Sequence, residues 1–155
     1  PWGCQRLNNL PKSLCIRPMG QTDIEAVIAI ETLNSKSPWS ENQFQQCLQW
    51  TQVLVLDDTV VGFAVVAEMI DQAELQNISL HPDHSGVGLR SELLDTVIER
   101  LPAKINQIYL EVRVLNFSAI RLYSKAGFTE IGQRRGYYAT EYGREDALLM
   151  GYSLC

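Results

Sequence analysis

The stretch Leu110–Phe128, LEVRVLNFSAIRLYSKAGF, constrains this chain more than any other segment. It reads as a strand to Arg113, a short turn, and an amphipathic helix from Asn116 to Ala126. The helix stops at Gly127, the residue that most readily takes a left-handed cap. Strand signals resume at Phe128 and run to Tyr138. A strand, a helix and a strand in that order call for a sheet with helices laid against it. Glu111 falls near the strand end and Tyr123 near the helix end, so adjacent elements carry a candidate base and a candidate acid.

The rest of the chain fits the same architecture. Residues 1–12, rich in turn formers, read as a loose lead-in. Leu14–Arg17 reads as a strand ended by Pro18. Thr22 or Asp23 is expected to cap a helix to about Thr32, with Ile24, Val27, Ile28 and Ile30 on its apolar side. Ser35–Pro38 is a loop. Ser40 caps a second helix, with Glu41 suited to its first turn and Phe44, Cys47 and Leu48 as its buried stripe. Gln52–Leu56 and Val60–Ile70 form a hairpin around Asp57-Asp58-Thr59. Glu74–Leu80 is a strand, and Val87–Leu101 a helix with Leu89, Leu93, Leu94, Val97 and Ile98 at helical spacing. Gln107–Arg113 and Ala147–Leu154 are further strands. Hairpins and late strand-helix-strand units together predict an α/β sandwich around one mixed sheet, a single domain over residues 1–155.

Composition narrows the function classes. With 155 residues, 46% of them hydrophobic and 20% charged, the chain can bury a sizeable core, and disorder of its bulk is not expected. No apolar run reaches the ~20 residues of a membrane span. The start, Pro1-Trp2-Gly3-Cys4, lacks the basic-then-apolar pattern of a signal peptide. Its missing initiator Met is expected to reflect trimming or processing. Cys4, Cys15, Cys47 and Cys155 form no Cys-x-x-Cys pair, and His81 and His84 have no cysteine nearby. No metal site is therefore expected, and the thiols read as reduced, as in a cytoplasmic protein. The net charge of −5 argues against direct nucleic-acid binding and suits a basic substrate.

A second segment carries ligand chemistry. His81–Ser91, HPDHSGVGLRS, lies between a strand and a helix. Glycines just before a helix let the backbone approach a ligand, and the unpaired N–H groups of the first turn face an anion such as a pyrophosphate. Alone, a Gly-x-Gly at such a junction is usually only a turn.

Together these segments resemble the GNAT acetyltransferases, which use acetyl-CoA. Within that superfamily the resemblance is to the ribosomal-protein-alanine N-acetyltransferases. It runs from about Leu14 to Leu154 and is densest after Asn77. It implies the GNAT acyl-CoA N-acyltransferase fold, a mixed, mostly antiparallel central sheet of about seven strands flanked by about four helices. It implies that Gly86, Val87, Gly88, Leu89, Arg90 and Ser91 wrap the CoA pyrophosphate. It places Ile78, Ser79 and Leu80 beside the pantetheine arm, with main-chain hydrogen bonds from Ile78 and Leu80, one of which polarises the thioester carbonyl. Asn116 would cap its helix and touch the same arm. The chain departs from the family's Gln/Arg-x-x-Gly-x-Gly/Ala loop at Ser85 and Arg90, and Gly86 stands where relatives often carry a basic residue. These changes leave the backbone N–H groups in place.

Acetyl transfer to an amine needs a neutral nucleophile and a protonated leaving thiol. A peptide α-amine has a pKa of about 7.7–8.0, so a minority is neutral at pH 7. A carboxylate, acting through one water, takes the remaining proton. Glu111 matches the family position for that base and Tyr123 the position for the acid. A tyrosine near pKa ~10 is protonated where a thiol near ~8.5 is leaving. Taken singly, a strand Glu is more often a surface carboxylate and a helix Tyr more often core. Their joint occurrence with Asn116 and Gly127-Phe128 carries the assignment. The segment Arg134–Ala147, with Tyr137-Tyr138 and Gly143-Arg144-Glu145-Asp146-Ala147, looks like that of N-terminal protein acetyltransferases. There the tyrosines line a slot for a protein's first residues. Pro38-Trp39-Ser40 resembles the loop that walls the slot, though Trp39 reads equally as a hydrophobic staple. The implied reaction is direct attack by a protein N-terminal amine, that of an alanine on a small-subunit ribosomal protein. It would be carried out in the cytoplasm by a monomer or weak oligomer, with no membrane partner. An acetyltransferase for small amines, polyamines or lysine side chains stays open, as does a non-catalytic acyl-CoA-binding module.

Overall fold

The computed structural model describes residues 4–6, 13–85, 88–141 and 143–154. Its strands are β1 (Cys4–Arg6), β2 (Ser13–Pro18), β3 (Thr51–Leu56), β4 (Thr59–Met69), β5 (Gln72–Leu80), β6 (Gln107–Arg113), β7 (Thr129–Thr140) and β8 (Gly143–Ser153). Its helices are α1 (Ile24–Asn34), α2 (Glu41–Gln46), α3 (Leu89–Glu99) and α4 (Phe117–Ala126). This is the mixed α/β arrangement expected. The chain forms two compact units, residues 1–67 with 77–100 and residues 68–76 with 101–155.

In the first unit the strand order is β1-β2-β3-β4-β5, and the pairs β1–β2, β2–β3 and β3–β4 are antiparallel. β1 corrects the expectation of a wholly loose lead-in, since Cys4 pairs with Cys15 and Arg6 with Ser13. So short an edge strand shows no side-chain period in the sequence that would announce it. The β3–β4 hairpin turns at Asp57 (φ 47°) and Asp58 (φ 67°), the doubly left-handed turn that matches strand twist. The entry to α1 also differs from expectation. A 3-10 turn, Gln21–Asp23, precedes the helix, and Asp23 makes no side-chain cap. Its carboxylate turns back to accept from the Gly20 N–H at 2.7 Å and from Arg17 at 2.7 and 3.0 Å. Charge pairing with Arg17 outcompetes the cap. Ser40 caps α2 as expected, its hydroxyl accepting from the Gln43 N–H at 3.2 Å.

The unit's core joins α1, α2, β3 and β4 through Val27, Ile30, Phe44, Val53, Phe63 and Val65. The rings of Phe44 and Phe63 meet edge-on at 5.5 Å. Truncating a buried phenylalanine in such a cluster costs about 3–5 kcal/mol. Glu31 also lies on the buried side of α1.

In the second unit the order is β5-β6-β8-β7. β5 and β6 are parallel, while β6–β8 and β7–β8 are antiparallel. The parallel ladder joins Gln72–Glu74 to Gln107–Tyr109, and β6 continues to Arg113. Ile108, Leu110 and Val112 of β6 are buried, so Tyr109, Glu111 and Arg113 share the opposite, half-exposed face. α4 has the ends expected. The Asn116 Oδ1 accepts from the Ala119 N–H at 3.3 Å. At the other end Gly127 sits at φ 114°, where an added Cβ would also collide with the Tyr152 ring. β7 runs to Thr140 and β8 starts at Gly143, so this hairpin is longer than the strands read from apolar residues alone.

Candidate active site

The first unit carries the candidate donor-binding residues. Ile78, Ser79 and Leu80 end β5 and are all buried. Gly62 on β4 makes room for them, because a Cβ there would run into the Leu80 side chain. The His81 N–H donates to the Val61 carbonyl at 2.7 Å as the chain leaves the strand. Asn34, at the end of α1, donates through Nδ2 to the Leu80 carbonyl at 2.6 Å and to the Ser79 hydroxyl. Pro82–His84 form a 3-10 turn, and the Ser85 hydroxyl donates to the Pro82 carbonyl at 3.0 Å.

Gly86 and Val87 lie outside the described residues. Gly88 holds φ 74° with open space around the position of a Cβ. It is the N-cap of α3 and, being glycine, brings no side-chain cap. The first-turn N–H groups of Leu89, Arg90 and Ser91 therefore keep their capacity for an anion, on the positive end of the helix dipole. Leu89 itself is buried in the core, so its only polar contribution is its main-chain N–H. α3 begins at Leu89 and not Val87, because the left-handed Gly88 interrupts helical geometry before it.

Trp39 sits just before the α2 cap, and its ring packs on Phe44 at 5.2 Å. That is the staple geometry, with one apolar residue on each side of the cap. The Trp39 ring is only partly buried. Its main-chain N–H donates to the Glu31 Oε2 at 3.0 Å, and the Asn77 Nδ2 donates to the Glu31 Oε1 at 3.2 Å.

The second unit carries the candidate acid and base. Glu111 stands opposite Leu149 in the β6–β8 register, with its side chain 21% exposed. Arg134 of β7 reaches it at 3.3 Å. The Arg134 guanidinium also lies 5.2 Å from the centre of the Tyr137 ring. Tyr137 meets Tyr138 edge-on at 5.1 Å, and the Arg113 guanidinium covers the Tyr138 ring at 4.2 Å. Arg113 pairs with Glu145 at 3.4 Å, and Glu145 accepts from the Leu115 N–H at 3.1 Å. The structure thus brings Glu111, Tyr137 and Tyr138 into one cluster of alternating guanidinium, ring and carboxylate. Burial, and after it the Glu111 charge, push the Tyr138 hydroxyl above the ordinary tyrosine pKa.

A bulge in β7 sets this cluster. The β7–β8 register shifts between Arg134 and Tyr138, around Gly136 at φ 58°. The Gly136 N–H donates to the Asp146 Oδ1 at 2.7 Å, and the Arg144 Nε donates to the Gly136 carbonyl. Gln133 donates to the other Asp146 oxygen at 2.7 Å. Extra residues in one strand re-aim the side chains that follow.

Tyr123 lies in a stack of its own. It is 8% exposed, and its ring centre lies 5.9 Å from that of Phe128, which in turn lies 5.6 Å from Tyr152. Asn116 acts as the cap of α4. Among the described residues no group of three or more His, Cys, Asp or Glu side chains could hold a metal ion. None of the described helices is long and apolar enough to cross a membrane.

Sequence reasoning missed Glu31, Asn34, Arg113, Arg134 and the roles of Arg144, Glu145 and Asp146. One signal was available for Glu31, which continues the Ile24-Val27-Ile28 stripe one helical turn further and so marks a charge on the buried side.

The chain is similar to known proteins over most of its length. Residues 21–128 match the acetyltransferase (GNAT) family. The chain is 38% identical over 136 residues to the [ribosomal protein bS18]-alanine N-acetyltransferase of Salmonella typhimurium, covering 85% of this chain and 92% of that protein. The Escherichia coli K12 protein of the same name is 37% identical over 141 residues, 87% of this chain and 94% of its own. The crystal structure of the ribosomal-protein-S18-alanine N-acetyltransferase from Escherichia coli superposes with a TM-score of 0.85 at 34% identity, over 91% of this chain and 94% of that one.

Proposed function

The chain belongs to the acetyltransferase (GNAT) family, and from that premise we propose that it moves acetyl from acetyl-CoA to the α-amine of a protein N-terminus, an alanine of a small-subunit ribosomal protein, in the cytoplasm. The observation that carries this reading is the near-complete coverage of relatives named for that reaction at 37–38% identity.

The residue roles follow from the chemistry. The main-chain groups of Ile78 and Leu80 and the Ser79 strand segment align the donor's thioester arm. Gly88, Leu89, Arg90 and Ser91, with Gly86 and Val87, take the pyrophosphate through main-chain N–H groups. Glu111 accepts a proton from the incoming ammonium, directly or through water. The neutral amine forms a bond to the acetyl carbonyl carbon, its nitrogen passes its second proton to water, and the carbon–sulfur bond then breaks. Tyr123 gives its hydroxyl proton to the leaving thiolate and regains one from solvent. No acyl-enzyme forms. Tyr137, Tyr138 and Trp39 contact the acceptor peptide, and Asn116 touches the donor arm while capping α4.

The test is a mass-spectrometric acetylation assay with acetyl-CoA. Its acceptors are peptides with free Ala, Ser, Met or Gly termini, an N-terminally blocked lysine peptide, and spermidine. Acetylation confined to free Ala or Ser α-amines is the expected result. Product on lysine or spermidine instead would move the chain to the small-amine class. Binding of acetyl-CoA with no product on any acceptor would leave a non-catalytic module.

A further inference from the structure

Glu31 is 4% exposed, and the proposed chemistry leaves it without a task. Three things weigh against its position. It is a carboxylate taken out of water, which is costly. It stands in the last turn of α1, where the helix dipole disfavours negative charge. Both of its hydrogen-bond donors, the Trp39 N–H and the Asn77 amide, are neutral. An apolar side chain of similar volume would remove the buried charge but leave the Trp39 N–H and the Asn77 amide without their acceptor.

What Glu31 does supply is geometry. One oxygen holds the loop that carries Trp39, and the other holds Asn77 of β5. A single carboxylate accepts from both donors at once, which no apolar residue can do. Three residues on, and so on the same side of the helix, Asn34 donates to Ser79 and to the Leu80 carbonyl. The last turn of α1 therefore grips the loop with one residue and the end of β5 with the next.

We infer that Glu31 and Asn34 form a two-armed latch, in which Glu31 positions the Trp39 loop for the acceptor peptide and Asn34 positions the end of β5 for the acetyl donor. The assignment rests on the reading of Trp39 as an acceptor contact and Ile78–Leu80 as donor contacts. Neither residue touches a reacting atom, so both are positioning residues, and each governs a different substrate.

The experiment compares Glu31→Met, Glu31→Gln and Asn34→Ala in the full chain. It reads KM for a free-Ala peptide, Kd for acetyl-CoA, thermal midpoint, and segment-resolved amide hydrogen exchange. Glu31→Met is expected to raise peptide KM roughly tenfold while kcat and the acetyl-CoA Kd stay within about threefold. Its thermal midpoint is expected to fall by only a few °C, because removal of a buried charge offsets part of the cost of the two orphaned donors, so the diagnostic is the rise in peptide KM against an unchanged acetyl-CoA Kd. Glu31→Gln is expected to recover most of the loss, since its carbonyl accepts from Trp39 and a flipped Asn77 amide accepts from its NH2. Asn34→Ala is expected to show the reverse pattern, a several-fold weaker acetyl-CoA Kd with peptide KM nearly unchanged. Exchange should quicken around Trp39 in the first case and around Ser79–His81 in the second. Parallel changes in both constants for both variants would overturn the latch, as would wild-type exchange at the segment each arm is said to hold. A wild type that acetylates no peptide would defeat the proposed function, and the exchange pattern would still decide the latch.

Discussion

Asp23 and Glu111 each face a guanidinium, and the two pairs do different work. Asp23 is tightly held, at 2.7 Å from Arg17 Nη1 and 3.0 Å from Nη2, with the Gly20 N–H adding a third bond. The hydrogen bond from Arg17 is the main reason its carboxyl titrates below the ordinary aspartate value. Burial opposes that shift, and the Gly20 N–H and the Arg17 charge add to it. A folded pKa below the unfolded value of about 3.9 means the stabilisation is complete above that value and fades as pH falls through the folded one. Asp23→Asn is expected to lose about 1–2 kcal/mol at pH 7, a modest figure because Arg17 is more than a third exposed. In urea unfolding the gap to wild type should narrow towards pH 3. A gap that ignored pH would assign the loss to packing. Glu111 is bound more loosely, with one contact at 3.3 Å to an Arg134 that is itself mostly exposed. Such a partner can exchange for an incoming amine. Glu111→Gln is expected to lower kcat about 10²–10⁴-fold with acetyl-CoA affinity unchanged, checked by steady-state turnover alongside titration calorimetry. Full turnover in that variant would remove Glu111 from the role of base.

Two elements show how unevenly structure is written into a sequence. α4 was legible to the residue because both of its ends carry their own local chemistry, an asparagine that caps and a glycine that leaves the helix left-handed. Gly127 is required twice, by φ 114° and by the Tyr152 ring packed where a side chain would go. Gly127→Ala is therefore expected to destabilise the chain by about 2–4 kcal/mol, the sum of left-handed strain and overpacking. A loss below about 0.5 kcal/mol in chemical denaturation would show that the ring moves aside freely. The β7 bulge is the opposite case. Its extent was roughly readable, but its irregularity depends on Arg144 and Asp146, which lie on the partner strand and grip the Gly136 peptide. Asp146→Ala leaves the Gly136 N–H without its acceptor, and is expected to raise peptide KM several-fold by letting Tyr137 and Tyr138 drift. An unchanged peptide KM would separate the bulge from recognition.

At the scale of the whole molecule, the residues proposed for chemistry were read from motifs, whereas the side chains that hold them were not. Glu31 meets Asn77 and Asn34 meets Leu80 across 46 residues of sequence, a separation that periodicity cannot bridge. Arg134 reaches Glu111 only because β8 lies between their strands. The sheet order that makes both contacts possible is a global property, so a local reading recovers the elements and misses their partners. The ligand, in turn, is expected to act on the molecule as a whole. Anything bound to the folded state alone stabilises it by ~2.7 kcal/mol at one hundred times its Kd. For a chain of this length each kcal/mol is worth about 2–4 °C, so saturating acetyl-CoA should raise the thermal midpoint by roughly 5–10 °C. S-acetylpantetheine keeps the thioester arm and lacks the pyrophosphate. At the same concentration it should raise the midpoint by less than about 2 °C, because it cannot make the anion contacts proposed for Gly88 and the first turn of α3. Equal shifts from both compounds would take the pyrophosphate away from that helix end. No shift from either would overturn acetyl-CoA as the co-substrate, whatever the chain's family.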